Sequence, residues 1–185
     1  MKKTHLSPTT DISLRLDQYS DIYSDFDVRP YASRALSVDF IDEIKRAALD
    51  KSVGGVTLEL YVPDKTRNEA DEATIRDRLI GHFTKHHVLL VEERRQMVRM
   101  GVVMIALGIV CMLGAAVILF NDHLQHFLWS LLLVFLEPAA WFLLWEGMDL
   151  VIFTPRSIRS DLQFYRKMAA AGGRIRFKPY SARRV

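Results

Sequence analysis

No charged side chain occurs between residues 101 and 120. After the link Asn121-Asp122-His123-Leu124-Gln125 a second apolar run, 126–145, carries only Glu137. Twenty residues at 1.5 Å rise make a helix of about 30 Å, the thickness of a bilayer's hydrocarbon core. Two buried helices of a soluble protein are the weaker alternative, because charge-free core helices of this length are uncommon. A link this short joins antiparallel neighbours. The expected fold is therefore an α+β cytoplasmic domain carrying an antiparallel two-helix transmembrane hairpin.

Composition points the same way. Half of the 185 residues are hydrophobic and a quarter are charged, yet the mean hydropathy is +0.07, so the apolar residues are concentrated rather than spread. A net charge of +3 gives no reason to expect nucleic acid as a partner. The single cysteine, Cys111, lies inside the first run, which excludes an intramolecular disulfide and a cysteine metal cluster. The basic start Met1-Lys2-Lys3 has no apolar stretch behind it, so a cleaved leader is not expected.

Arg94, Arg95 and Arg99 precede the first run, and Arg156, Arg159, Arg166 and Lys167 follow the second, while the link has no Lys or Arg. The positive-inside rule then places both termini in the cytoplasm and the link outside, in a multi-pass protein of the cell membrane. The segments expected are 1–36 (a strand and an irregular stretch), 37–100 (α+β with a juxtamembrane helix), 101–120 (first span), 121–125 (external loop), 126–146 (second span) and 147–185 (cytoplasmic helix and final strand).

If the hairpin turns near residue 123, positions whose numbers sum to about 246 share a depth. Small residues at Gly101, Gly108, Cys111 and Ala115 form a seam for close helix approach, with Trp141 and Trp145 as the bulk facing it. The same rule brings Glu146 near Arg99, either as an ion pair tying the spans or as two groups facing headgroups and water. Glu137 falls level with Ile109 and beside Gly108. An ionisable group at mid-membrane costs about 2.5–3.5 kcal/mol on insertion scales and usually faces protein or water. Pro138 leaves the Val134 carbonyl without its helical donor, next to that carboxyl. Glu137, Pro138 and Trp141 therefore make an intramembrane polar site: a proton or cation relay or a ligand site on one reading, a neutral carboxyl stapling helices on the other.

Outside the runs, Ile12-Ser-Leu-Arg-Leu16 alternates as a strand does, 17–36 reads as irregular, and Ser37 caps a helix through Lys51. Val53-Gly54-Gly55 ends it. Residues 56–62 alternate as a second strand and stop at Pro63-Asp64. Asn68 with Glu69, Asp71 and Glu72 starts a helix that either runs into the first span or breaks near His86. Pro155 and Ser157 start another helix, ended by Gly172-Gly173, and Arg174–Lys178 alternates as a last strand pairing with 56–62, Glu59 among its basic side chains.

His82 and His86 have the spacing of a two-histidine metal site, but zinc needs three or four ligands and no third is fixed, so solvated or core-edge histidines are the simpler reading. Asp25 and Asp27 before Arg29-Pro30 are either a divalent-metal and phosphate site or a turn in which Asp caps backbone amides. No cofactor is expected. The basic residues Arg174, Arg176, Lys178, Arg183 and Arg184, interleaved with Phe177 and Tyr180, suit anionic lipid headgroups.

Ser24-Asp25-Phe26-Asp27-Val28-Arg29-Pro30-Tyr31 and the stretch from Arg34 to Phe40 resemble the N-terminal signature of a family of uncharacterised prokaryotic two-span membrane proteins. Glu137-Pro138, Trp141-Phe142 and Trp145-Glu146-Gly147 are similar to that family's second-span element. The resemblance implies a helix bearing Arg78-Leu79 and His82-Phe83 ahead of the hairpin. It implies architecture and no activity. The function expected is a non-enzymatic anchor or assembly subunit that binds itself or another membrane protein. The alternatives are an oligomeric proton or cation conductor using Glu137, and a membrane-surface enzyme using Asp25 and Asp27.

Overall fold

A computed structural model describes residues 10–49, 56–121, 126–171 and 174–180. The elements run β1 (Thr10–Arg15), α1 (Val38–Leu49), β2 (Val56–Pro63), α2 (Glu69–Phe120), α3 (Phe127–Met148), α4 (Thr154–Ser157), α5 (Arg159–Ala170) and β3 (Ile175–Tyr180). Val53-Gly54-Gly55, Gly172-Gly173, Arg183, Arg184 and most of the expected external loop lie outside the described residues. Two units result: Met1–Val88 with Leu162–Val185, and Leu89–Asp161.

In the first unit the three strands lie in the order β1-β2-β3 and every pairing is parallel. Parallel neighbours need a crossover; α1 supplies it between β1 and β2, and everything from α2 to α5 lies between β2 and β3. Because side chains alternate across a strand, register sorts the residues into two faces. Ile12, Leu58 and Ile175 form one row and Leu14, Leu60 and Phe177 the next, all on the core side. Ile44 of α1, Ile75, Leu79 and Phe83 of α2, and Phe164 and Met168 of α5 complete that core. The opposite face carries the rows Ser13, Glu59, Arg176 and Arg15, Tyr61, Lys178.

Local chemistry sets the helix starts. The Phe40 amide donates to the Ser37 hydroxyl, and the Ala70 amide donates to Asn68 Oδ1 at 3.0 Å. Glu69, Asp71 and Glu72 then occupy the first turn of α2, where the helix dipole favours acids. No Pro or paired Gly interrupts the later turns, so α2 does not break near His86 but continues to Phe120. Between residues 17 and 36, read as irregular, Tyr19–Ile22 forms a 3₁₀ turn and Tyr23 bridges Leu36.

The second unit pairs the apolar end of α2 with α3 in antiparallel fashion. Backbone contact sets their register. A Cβ at Gly101 would meet the Gly147 carbonyl and Leu150, one at Gly108 would meet Leu144 and the Ala140 carbonyl, and one at Gly114 would reach Leu136. Facing numbers thus sum to about 250 rather than 246, a displacement of roughly one helical turn. Close approach of small residues, not the midpoint of the link, decides the alignment. α3 is continuous through Pro138 and runs past residue 146 to Met148, followed by a π-helical turn over Asp149–Phe153.

Candidate functional site

Gly101, Gly108 and Ala115 are buried along α2, with Cys111 half-buried in the same row. The residues facing that row are Ala140, Leu144 and Gly147. Trp141 and Trp145 do not fill it: they are 67% and 64% exposed, on the outer side of α3. Glycines that bring backbones into contact leave no room for indole rings, so the tryptophans turn outward.

The one-turn displacement also moves Glu137. Instead of lying beside Gly108 it opens into a groove of about 430 Å³ with Met112, Ala115, Ala116, Pro138 and Trp141. Its carboxyl is exposed there among apolar walls. Arg99 is exposed and Glu146 half-buried, and among the described residues no ion pair joins them.

Asp25 is exposed, and it does not join Asp27 in a site. Asp27 instead organises its own loop. It accepts from the Arg29 amide at 3.1 Å, from the Arg29 guanidinium at 2.7–3.2 Å, and from the Ala35 amide at 2.7 Å. The Arg29 side chain first, and the Ala35 amide second, hold this carboxyl well below the usual range. This is the turn-capping role of Asp, and it ties Ser24–Pro30 back to the start of α1's approach.

His82 and His86 lie with ring centroids 4.2 Å apart and planes tilted by 42°, and His86 stacks on Tyr165 of α5 at 5.3 Å. Burial foremost, then the neighbouring charges of His86, Arg78 and Lys85, lower the His82 pKa to about 4. Among the described residues no group of three His, Cys, Asp or Glu is placed to hold a metal ion.

Two buried ion-pair clusters lie in the three-stranded unit, and the first has no signal in the sequence. Glu72, read only as a helix-start acid, is 4% exposed. Arg67 grips both its oxygens at 2.8 and 2.9 Å, the Tyr19 hydroxyl donates to it at 2.9 Å, and the Asn68 amide donates to Tyr19 in turn. Glu59 is 6% exposed, pairs with Lys178 and accepts from the Tyr61 hydroxyl at 3.1 Å. Only the second was signalled in advance, by one acid in a strand expected to lie beside a basic one. Arg67 with Glu69, Glu72 and Arg76 also lines a cleft with Arg176 and Lys178, of about 590 Å³.

Compared with known proteins, the chain matches no family model, no curated protein and no solved structure.

Proposed function

We propose that the chain is an integral membrane anchor or assembly subunit. Its α2–α3 pair crosses a bilayer twice, with both termini cytoplasmic, and the three-stranded unit is the part presented there. One observation carries the reading. Both helices are long and apolar enough to cross a membrane, yet only 11% and 6% of their apolar windows are buried. The glycine contacts use one narrow stripe of each helix, and the remaining apolar surface exceeds what a soluble monomer exposes. The likeness of residues 24–40 and 137–147 to a family of two-span membrane proteins favours the same architecture.

The test is extraction and topology. In alkaline carbonate the full chain should stay with the membrane pellet. In sealed cells, on a Cys111→Ala background, Asn121→Cys should react with an impermeant maleimide and Arg184→Cys should not. Release into the supernatant, or external labelling at position 184, overturns the proposal.

A second reading, proton or cation conduction by an oligomer, is favoured by Glu137 lying open in an apolar groove. Two helices per chain enclose no pore, so conduction needs several copies. As an assembly contact, Glu137→Gln should loosen self-association in mild detergent; as a relay, it should abolish flux in liposomes with the oligomer intact.

A further inference from the structure

The cleft beside β3 is built from two distant segments. Alternation along β3 puts Arg176 and Lys178 on the same face of the sheet. The segment opening α2 brings Arg67, Glu69, Glu72 and Arg76 to the same cavity. Arg76 stitches the two walls together by donating from Nε to the Ile175 carbonyl at 3.1 Å, across 99 residues of chain.

The charges in the cleft are not equally available. Glu72 and Arg67 form a closed bidentate pair, and Lys178 is shared with Glu59 behind it. That leaves Arg76 and Arg176, which act on the buried carboxylates of Glu72 and Glu59 only through longer-range attraction, against Glu69, which is exposed. Nε anchorage fixes the Arg76 guanidinium while its two terminal nitrogens make no bond among the described residues. Arg176, exposed on the facing strand, makes none either. One guanidinium held by the fold and a second free to close form a fork-like set of donors. Such donors match the oxygens of a phosphate better than a point charge does.

We propose that this cleft binds a phosphate-bearing anion, with Arg76 and Arg176 holding the phosphate oxygens and Glu69 opposing it. The headgroup attraction expected of the basic last strand is thereby narrowed to one cavity and one chemical group. Binding here does not depend on the hairpin crossing a bilayer, so carbonate extraction and anion titration fail independently.

The full chain in a neutral detergent is titrated with inorganic pyrophosphate, and separately with short-chain phosphatidylglycerol against phosphatidylcholine, following binding and melting temperature. Two variants bracket the site. Arg176→Gln removes the exposed guanidinium, and Glu69→Gln removes the opposing carboxylate; both should fold as the parent does, with Glu69→Gln melting slightly lower without ligand because it takes an acid from the first turn of α2. Losing one charged donor should weaken binding roughly tenfold, and losing Glu69 should tighten it. If pyrophosphate shows that pattern, the source is a soluble phosphate compound. If only phosphatidylglycerol shows it, the source is a lipid headgroup. Absence of binding by both probes, or binding that Arg176→Gln and Glu69→Gln leave unchanged, overturns the proposal.

Discussion

Gly101 and Gly147 face each other across the helix pair, and a Cβ added to either would stand 2.8 Å from the other's carbonyl oxygen. The obstacle is backbone on both sides, so no side-chain movement relieves it. Gly147→Ala should therefore cost about 1–3 kcal/mol, the range for overpacking a tight contact. Gly81 is the matched control: it is helical and exposed, and a Cβ there meets nothing within 4 Å. Gly81→Ala should stabilise by about 0.5–1 kcal/mol through helix propensity alone. Thermal unfolding of both variants in one detergent checks the pair; equal effects would remove the close-packing argument.

The Glu72 carboxyl is held below its ordinary value of 4.5, chiefly by the Arg67 side chain and, against the cost of burial, by the Tyr19 hydroxyl as well. A depressed carboxyl contributes stability above its unfolded pKa and loses it as pH falls through the folded one. Glu72→Ala strands Arg67 and Tyr19 and should cost about 2–3 kcal/mol at neutral pH. The gap between variant and parent should narrow in acid, as the parent's own Glu72 carboxylate protonates. Urea unfolding at neutral and at strongly acid pH measures both limits, and a gap independent of pH would contradict the ion-pair account.

His82 works in the opposite sense. Its pKa falls from 6.5 to about 4 on folding, and the groups facing it are His86, Arg78 and Lys85 of α2 and Tyr165 of α5. Between those two values the unfolded chain binds a proton that the folded one refuses, so stability drops as pH falls from 6.5 toward 4. Above 6.5 the residue adds no slope. One proton gives at most about 1.4 kcal/mol per pH unit. His82→Phe keeps an aromatic ring against Tyr165 and should flatten that stretch of the stability curve. A curve equally steep in the variant would assign the slope elsewhere.

Legibility in the sequence tracks the range of the forces involved. Runs without charge, strict alternation in 56–62 and 174–178, and the caps at Ser37 and Asn68 are short-range signals, and each has its counterpart in an element of the fold. The seam of small residues on α2 was visible too, since a helix's own period creates it. Its partner was not. Which side chains face Gly108 depends on the face that α3 turns to its partner, and one residue, about 100° of rotation, separates Trp141 and Trp145 from Ala140 and Leu144. The Tyr19–Glu72–Arg67 cluster was hidden for the same reason, because Tyr19 reaches Glu72 across 53 residues. Parallel pairing of all three strands is likewise a property of the connections rather than of any strand.

That connectivity has a consequence for the order of synthesis. The central strand β2 is made early, but the neighbour that completes its row at Leu58 is Ile175, after both apolar helices. Phe164 and Met168, which close the core over Leu79 and Phe83, arrive just as late. A ribosome halted after α3 would release a chain with its hairpin made and its sheet lacking an edge. Such a product would leave Leu58 without Ile175 and Leu60 without Phe177, the neighbours that complete their two rows on the core side of the sheet.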